Sequence, residues 1–320
     1  MDNSFYQLLL DEIRKAFPKN ALMVNKLSEL LLIEKGAIYR RLRKEVPFTF
    51  NEIAVVAKHL GISLDNMIGI DTQRTIPLQS RLPDFISPQE EDYNMFDFYI
   101  KFLQSIDHQN DNSETVSITN ILPLELFTDF QSLFSFYLFI WNFHYNNEKI
   151  KPFSQISTTP KMEQLLNGLS TEMKKFKKTC FVFDSRVFRL IIEDVKYFHE
   201  IRLIEKEEVV KIKEDLCSLL NYIEEIAITG QFKETGNSVN LYISDVDITT
   251  NYIFIEAKNI FLSVIRIFFL STITSRDENM FTNMKKWINS LIKISTLITL
   301  TNERQRVIYF EKQRKIINEL

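Results

Sequence analysis

Between Lys35 and Lys44 the chain carries five cations, Lys35, Arg40, Arg41, Arg43 and Lys44, and no acidic side chain. Only Ile38 and Leu42, spaced i, i+4, are needed there for packing, so a short helix would keep one narrow apolar stripe and give its other surface to cations. The chemistry open to such a helix is electrostatic: charge-assisted hydrogen bonds to phosphates lining a groove, with an affinity that falls as salt rises. Gly36 and Ala37, near the start of the helix, leave room for close approach to base edges. Tyr39 is long enough to reach a base edge or a phosphate. Together with Glu34, which closes the preceding turn, these residues form the candidate contact set.

Other reactive types are scattered. His59, His108, His144 and His199 have no cysteine or second histidine at ligand spacing, so no metal site is expected. Cys180 and Cys217 form no C-x-x-C, which fits a reducing cytoplasm better than a disulfide scaffold. The acidic pairs Glu193-Asp194, Glu207-Glu208 and Glu224-Glu225 fall on amphipathic stretches and read as solvated charge. Neither a glycine-rich phosphate loop nor a G-x-S-x-G elbow is present. No enzyme activity and no cofactor is expected.

The elements that must hold the cationic segment follow from periodicity. Ser4–Phe17 repeats apolar residues at helical spacing, and Pro18-Lys19-Asn20 ends it. Val24–Leu31 is a short helix, Leu32-Ile33-Glu34 a tight turn, and Lys35–Lys44 the second helix of the pair. Pro47 breaks that helix; Phe50–Leu60 is a third, stopped by Gly61, and Ser63 caps a last short one bearing Leu64, Met67 and Ile68. The segment 1–70 therefore reads as a five-helix head.

This order, with the tail H-L-G-I-S-L-D-N-M-I at His59–Ile68, resembles the lambda-repressor/Cro-like (XRE-type) helix-turn-helix family. The Y-R-R-L-R segment at Tyr39–Arg43 also looks like the heads of regulators of anaerobic bacteria that carry a large, uncharacterised C-terminal part. The resemblance covers roughly a fifth of the chain. It implies that Lys35–Arg43 is a recognition helix lying in the major groove of duplex DNA, its first residues touching bases. The sequence departs from the family at Leu32, where the turn often has glycine, and at Val24, where glutamine often contacts phosphate.

Beyond the head, the stretch 71–92 holds Pro77, Pro83 and Pro88 and reads as a linker. Residues 93–320 read as mostly helical, with helices over Tyr93–Ile106, Leu124–Tyr145, Ser185–Arg202, Lys206–Thr229, Asp277–Ile294 and Asn302–Leu320. Val239–Ile243 and Tyr252–Glu256 alternate like antiparallel strands, and Ser263–Leu270 is a third strand or a helix. The fold expected is mainly α: the five-helix head followed by an α-rich α+β domain with a small antiparallel sheet. The seam Val209–Ile226 and the set Val307, Phe310, Ile317 and Leu320 fit either an internal core or a subunit interface.

Net charge is −3, and within Met1–Ile70 ten basic residues less eight acidic ones leave only +2, so any anion-binding signal is local. The 27 phenylalanines read as core filling, not as a base-stacking platform. The apolar runs Leu133–Phe143 and Ile260–Thr274 are too short to span a bilayer, the second also being interrupted by Arg266, and the N-terminus lacks the form of a secretory signal. A soluble, cytoplasmic, DNA-binding regulator of transcription is expected, with double-stranded DNA as partner. A homodimer is expected because one such head reads only a few base pairs. The large apolar content of the second domain motivates a further role in sensing an unknown small-molecule effector. Two alternatives stay open: a helix-turn-helix that contacts only protein, and an enzyme with an appended DNA-binding head.

Overall fold

The computed structural model describes residues 4–17, 20–62, 64, 79–108, 112–145, 150–258, 260–267 and 271–320. The chain divides into two compact units, Met1–Pro77 and Leu78–Leu320.

The first unit is built from α1 (Ser4–Lys15), α2 (Asn20–Leu31), α3 (Lys35–Leu42) and α4 (Phe50–Leu60). Leu9, Leu10 and Ile13 of α1 meet Met23, Val24 and Leu27 of α2, Ile38 and Leu42 of α3, and Val56 of α4 in one buried cluster. The fifth helix expected from Ser63 lies outside the described residues. Two of the helix ends stop in the same way. At the end of α2, Leu32 turns left-handed at φ 55°, and the Ile33 amide donates back to the Ser28 carbonyl. At the end of α3, Lys44 does so at φ 65°, with Lys44 N–H to Arg41 O and Glu45 N–H to Arg40 O. These are left-handed stops that usually employ glycine, as α4 does at Gly61. The helix expected over Lys35–Lys44 thus ends at Leu42, and Arg43 and Lys44 belong to its exit turn.

The second unit is organised by one eight-stranded mixed sheet in the order β1-β7-β6-β5-β2-β3-β4-β8. Its strands are β1 (Gln79–Arg81), β2 (Glu114–Thr119), β3 (Lys178–Asp184), β4 (Ser238–Ser244), β5 (Asn251–Ala257), β6 (Ile260–Ile267), β7 (Ser271–Ser275) and β8 (Thr296–Leu297). β2, β3 and β4 are parallel neighbours, and every other pairing is antiparallel. Parallel neighbours need long crossovers. The first holds α6 (Leu124–Phe127), α7 (Gln131–Tyr145) and α8 (Pro160–Met173); the second holds α9 (Val187–Glu200) and α10 (Lys206–Thr229). The remaining helices are α5 (Glu90–Gln104) before β2, and α11 (Glu278–Ile294) and α12 (Glu303–Ile317) on either side of β8.

This overturns the expectation of a mainly α chain with a small antiparallel sheet: the fold is α/β, with the sheet at its centre. Strand side chains alternate between faces. Phe181 and Phe183 of β3 and Leu241 of β4 join the large core formed with α7, α9, α10 and α12, whereas Val116, Ile118 and Val182 point the other way onto Phe281, Met284 and Ile288 of α11. Burial on both faces removes the polar–apolar alternation that marks a half-exposed strand. The stretch expected as linker, 71–92, is described only from Gln79. From Leu78 onward the chain belongs to the second unit, where β1 pairs with β7 and Phe85 is fully buried.

The α10 seam is internal: Ile212, Leu216, Leu219, Ile223 and Ile226 are buried, as are Phe310 and Ile317 of α12, while Val307 is half exposed. The phenylalanines dominate the fully buried large side chains. Among the described residues no helix is long and apolar enough to cross a membrane.

The six-residue connection from β4 to β5, Asp245–Thr250, runs across the carboxyl ends of β2 and β3. Its Ile248 amide donates to Asp184 Oδ2 at the end of β3, 3.0 Å, and its Ile248 carbonyl accepts from Asn120 Nδ2 after β2, 2.9 Å.

Candidate nucleic-acid interface

The candidate residues cluster on α3 and its two ends. Glu34 is the N-cap, in extended conformation, and its carbonyl accepts from the Ala37 and Ile38 amides. Its carboxylate makes no capping bond and is exposed. Lys35, Gly36, Tyr39 and Arg40 are exposed; Ala37 is half-buried, against a core supplied by Ile38 and Leu42. At roughly 100° per residue, Lys35, Gly36, Tyr39 and Arg40 share an arc of about 140°, and Arg41 stands about 100° further round. Arg43 and Lys44 are exposed at the exit turn, with Arg43 Nε 3.1 Å from Glu45 Oε1.

Arg41 is committed elsewhere. Its Nε donates to Glu52 Oε2 at 3.0 Å and its Nη2 to Glu52 Oε1 at 2.7 Å, while Nη1 reaches the Ala37 carbonyl at 3.2 Å. Its side chain is only 14% exposed. The same Glu52 accepts from the Thr49 amide at 2.8 Å, and Thr49 Oγ1 accepts from the Glu52 amide, closing a capping box at the start of α4. The hydrogen-bonded guanidinium holds the Glu52 carboxyl below its ordinary range, and that bond raises Arg41 in turn. Tyr6 completes the frame: its hydroxyl donates to the Arg41 carbonyl at 3.1 Å and accepts from the Phe48 amide at 3.0 Å. Thus α1, α3 and α4 are tied at one point, and the candidate set loses Arg41 as an outward contact.

The frame was partly visible in the sequence. Thr49-x-x-Glu52 before an apolar run is a capping-box pattern, and the i, i+4 series Lys35, Tyr39, Arg43 leaves Arg41 off its stripe. The pairing of Arg41 with Glu52, eleven residues on, has no local signature.

In the second unit the polar clusters are structural. Asp184 accepts from the Arg186 amide and guanidinium and from Ile248. Lys174, nearly buried, donates to Glu234, which also accepts from Tyr222. His108 and His199 each donate to a backbone carbonyl, of Leu103 and Ile204. Of the pair Glu193-Asp194, Glu193 is exposed as read, whereas Asp194 is partly covered: burial, aided by the Glu193 charge, pushes its carboxyl up to about 6. Among the described residues no three His, Cys, Asp or Glu side chains are grouped to hold a metal ion.

No protein-family model, curated protein or solved structure matches the chain.

Proposed function

We propose that the first unit binds duplex DNA through the outward face of α3 and that the protein regulates transcription. The observation that carries this reading is the division of labour among the cations. Arg41 is tied inward to Glu52, whereas Lys35 and Arg40 are exposed beside Tyr39 and Gly36 on α3, and Arg43, beside Glu45, and Lys44 are exposed at its exit turn. A helix anchored from behind with exposed cations suits a phosphate-lined groove, and its first turn is the part that meets base edges in helix-turn-helix readers. Since one head spans a few base pairs, pairing of two chains through the second unit belongs to the same reading. So does a cytoplasmic location, where a bacterial chromosome lies.

The test is an anisotropy titration of the full chain with a fluorescent random-sequence duplex over a range of salt. Binding should weaken steeply with salt. Arg40→Ala/Arg43→Ala should bind at least tenfold more weakly, with a log–log salt slope shallower by about two per head, since each lost phosphate contact removes roughly 0.9. Undiminished binding by that variant would overturn the assignment of α3.

A second reading, contact with a protein, rests on Leu32 and Phe50, which flank α3 at 90% and 77% exposed. Salt-insensitive association, lost on Leu32→Ser/Phe50→Ser and accompanied by no duplex binding, would favour it.

A further inference from the structure

α12 buries one face and leaves the other bare. Tyr309, Phe310, Gln313, Ile316 and Ile317 are buried, whereas Arg304, Val307, Ile308 and Glu311 are exposed. At roughly 100° per residue, Arg304 and Glu311 stand within about 20° of one line along the crest of the helix. Val307 and Ile308, each half exposed, straddle that line midway between the two charges. Beside them lies a groove of about 460 Å³, bounded by Ile316 and by Arg189 of α9. The helix alone does not explain the crest charges. Arg304 is in the first turn, where the macrodipole disfavours a cation, and its guanidinium has no ion pair or hydrogen bond among the described residues. Glu311 is 3.4 Å from Arg314, a cation already bound to Glu224 of α10.

We propose that this crest is a two-fold seam, on which α12 pairs antiparallel with α12 of a second copy of the chain. The order of the residues selects that occupant. With the axis between Val307 and Ile308, each Arg304 comes level with the partner's Glu311, and the four apolar side chains meet at the centre. Such a patch complements itself, as an isologous interface requires. A parallel pair would instead set like charges opposite each other, which is unfavourable. The seam gives the pairing of chains in the proposed function its surface and so rests on that reading, although it makes no use of DNA. One helix pair is a small interface, so the association is weak and reversible.

Sedimentation velocity of the full chain without DNA, from about 1 to 200 µM, tests the seam. The wild-type chain should pass from monomer to dimer and no further, because a two-fold contact closes. Arg304→Glu and Glu311→Arg should each weaken the dimer at least about tenfold, since like charges then face each other. An equimolar mixture of these two variants should dimerise as wild type does, because each chain supplies the charge the other lacks. Seven residues of helix separate the two positions by about 10 Å, so this rescue reads contact between chains and not within one. Ile308→Asp should stay monomeric throughout. A wild-type chain that stays monomeric, or that grows beyond the dimer, would overturn the inference, as would a groove occupied by a different protein. A dimer unmoved by the single charge changes, or a mixture that fails to recover, would do the same. The DNA reading is judged separately: a chain that dimerises as expected and binds no duplex would overturn that reading and leave the seam.

Discussion

Arg41 and Glu52 meet through two parallel hydrogen bonds, Nε to Oε2 and Nη2 to Oε1, with both side chains about 15% exposed. A bidentate guanidinium–carboxylate pair fixes orientation as well as distance. Because Glu52 also accepts from Thr49, one carboxylate sets the start of α4 and the roll of α3 together. The orientation of the outward cations is therefore set from behind.

Removing this pair should loosen the head without touching its exposed surface. Arg41→Ala is expected to destabilise the first unit by about 1–3 kcal/mol, because it leaves a shielded carboxylate without its partner. Arg40→Ala should change stability by no more than about 0.5 kcal/mol, as exposed substitutions usually do. Hydrogen exchange of peptides from α3 and α4 in the full chain reads both; equal protection in the two variants would refute the division.

The same carboxylate gives the head a pH dependence of definite sign. Glu52 is lowered in the folded state, so its contribution is complete above the ordinary carboxylate range and is lost as pH falls through its folded value. Wild-type protection over residues 35–60 should decline below about pH 4.5, and Glu52→Gln should flatten that decline while starting lower at pH 7. An unchanged slope in Glu52→Gln would exclude this carboxylate as the cause.

Leu32 holds a left-handed backbone at φ 55° while its side chain is 90% exposed, so the fold gains little from it. Relief of that conformation outweighs the extra freedom of an unfolded glycine, and Leu32→Gly should stabilise the first unit by roughly 0.5–1 kcal/mol. A loss of stability on substitution would show that the leucine makes contacts of its own.

In the second unit the sign reverses. The Asp194 carboxyl, raised to about 6 by burial and then by Glu193, binds its proton more tightly folded than unfolded. It therefore weakens the fold as pH rises from about 4 through 6. Asp194→Asn should add about 1–2 kcal/mol at pH 7, a gain that disappears by about pH 4. Denaturant titrations of the full chain at the two pH values, followed by tryptophan fluorescence, measure the difference; both Trp141 and Trp287 belong to this unit.

What the sequence disclosed depended on exposure. α10 was legible because Ile212, Leu216, Leu219 and Ile223 step along one buried face while charges fill the others. β4 and β5 were legible because branched and aromatic residues mark them, whereas the stretch of β6 read equally as strand or helix. β2 was not: Thr115, Ser117 and Thr119 are buried polar residues, so Val116 and Ile118 alone carry its hydrophobic signal. β3 runs buried from Thr179 to Asp184 and offers no solvent face to set a period. Missing these two strands removed the centre of the sheet, so β4 and β5, which β2 and β3 separate, were read as an antiparallel pair that the sheet does not contain. In the head, the apolar spacing placed all four described helices. It could not sort five chemically similar cations, because the partner that separates Arg41 from the rest arrives from another helix.

The 245–250 connection has a consequence for the second unit. Open α/β sheets commonly seat small molecules just beyond the carboxyl ends of their parallel strands. Here that berth is taken by the chain itself, moored by Asn120 on one bank and Asp184 on the other. A visiting metabolite would have to dock on the flank of this unit or first unmoor its own backbone.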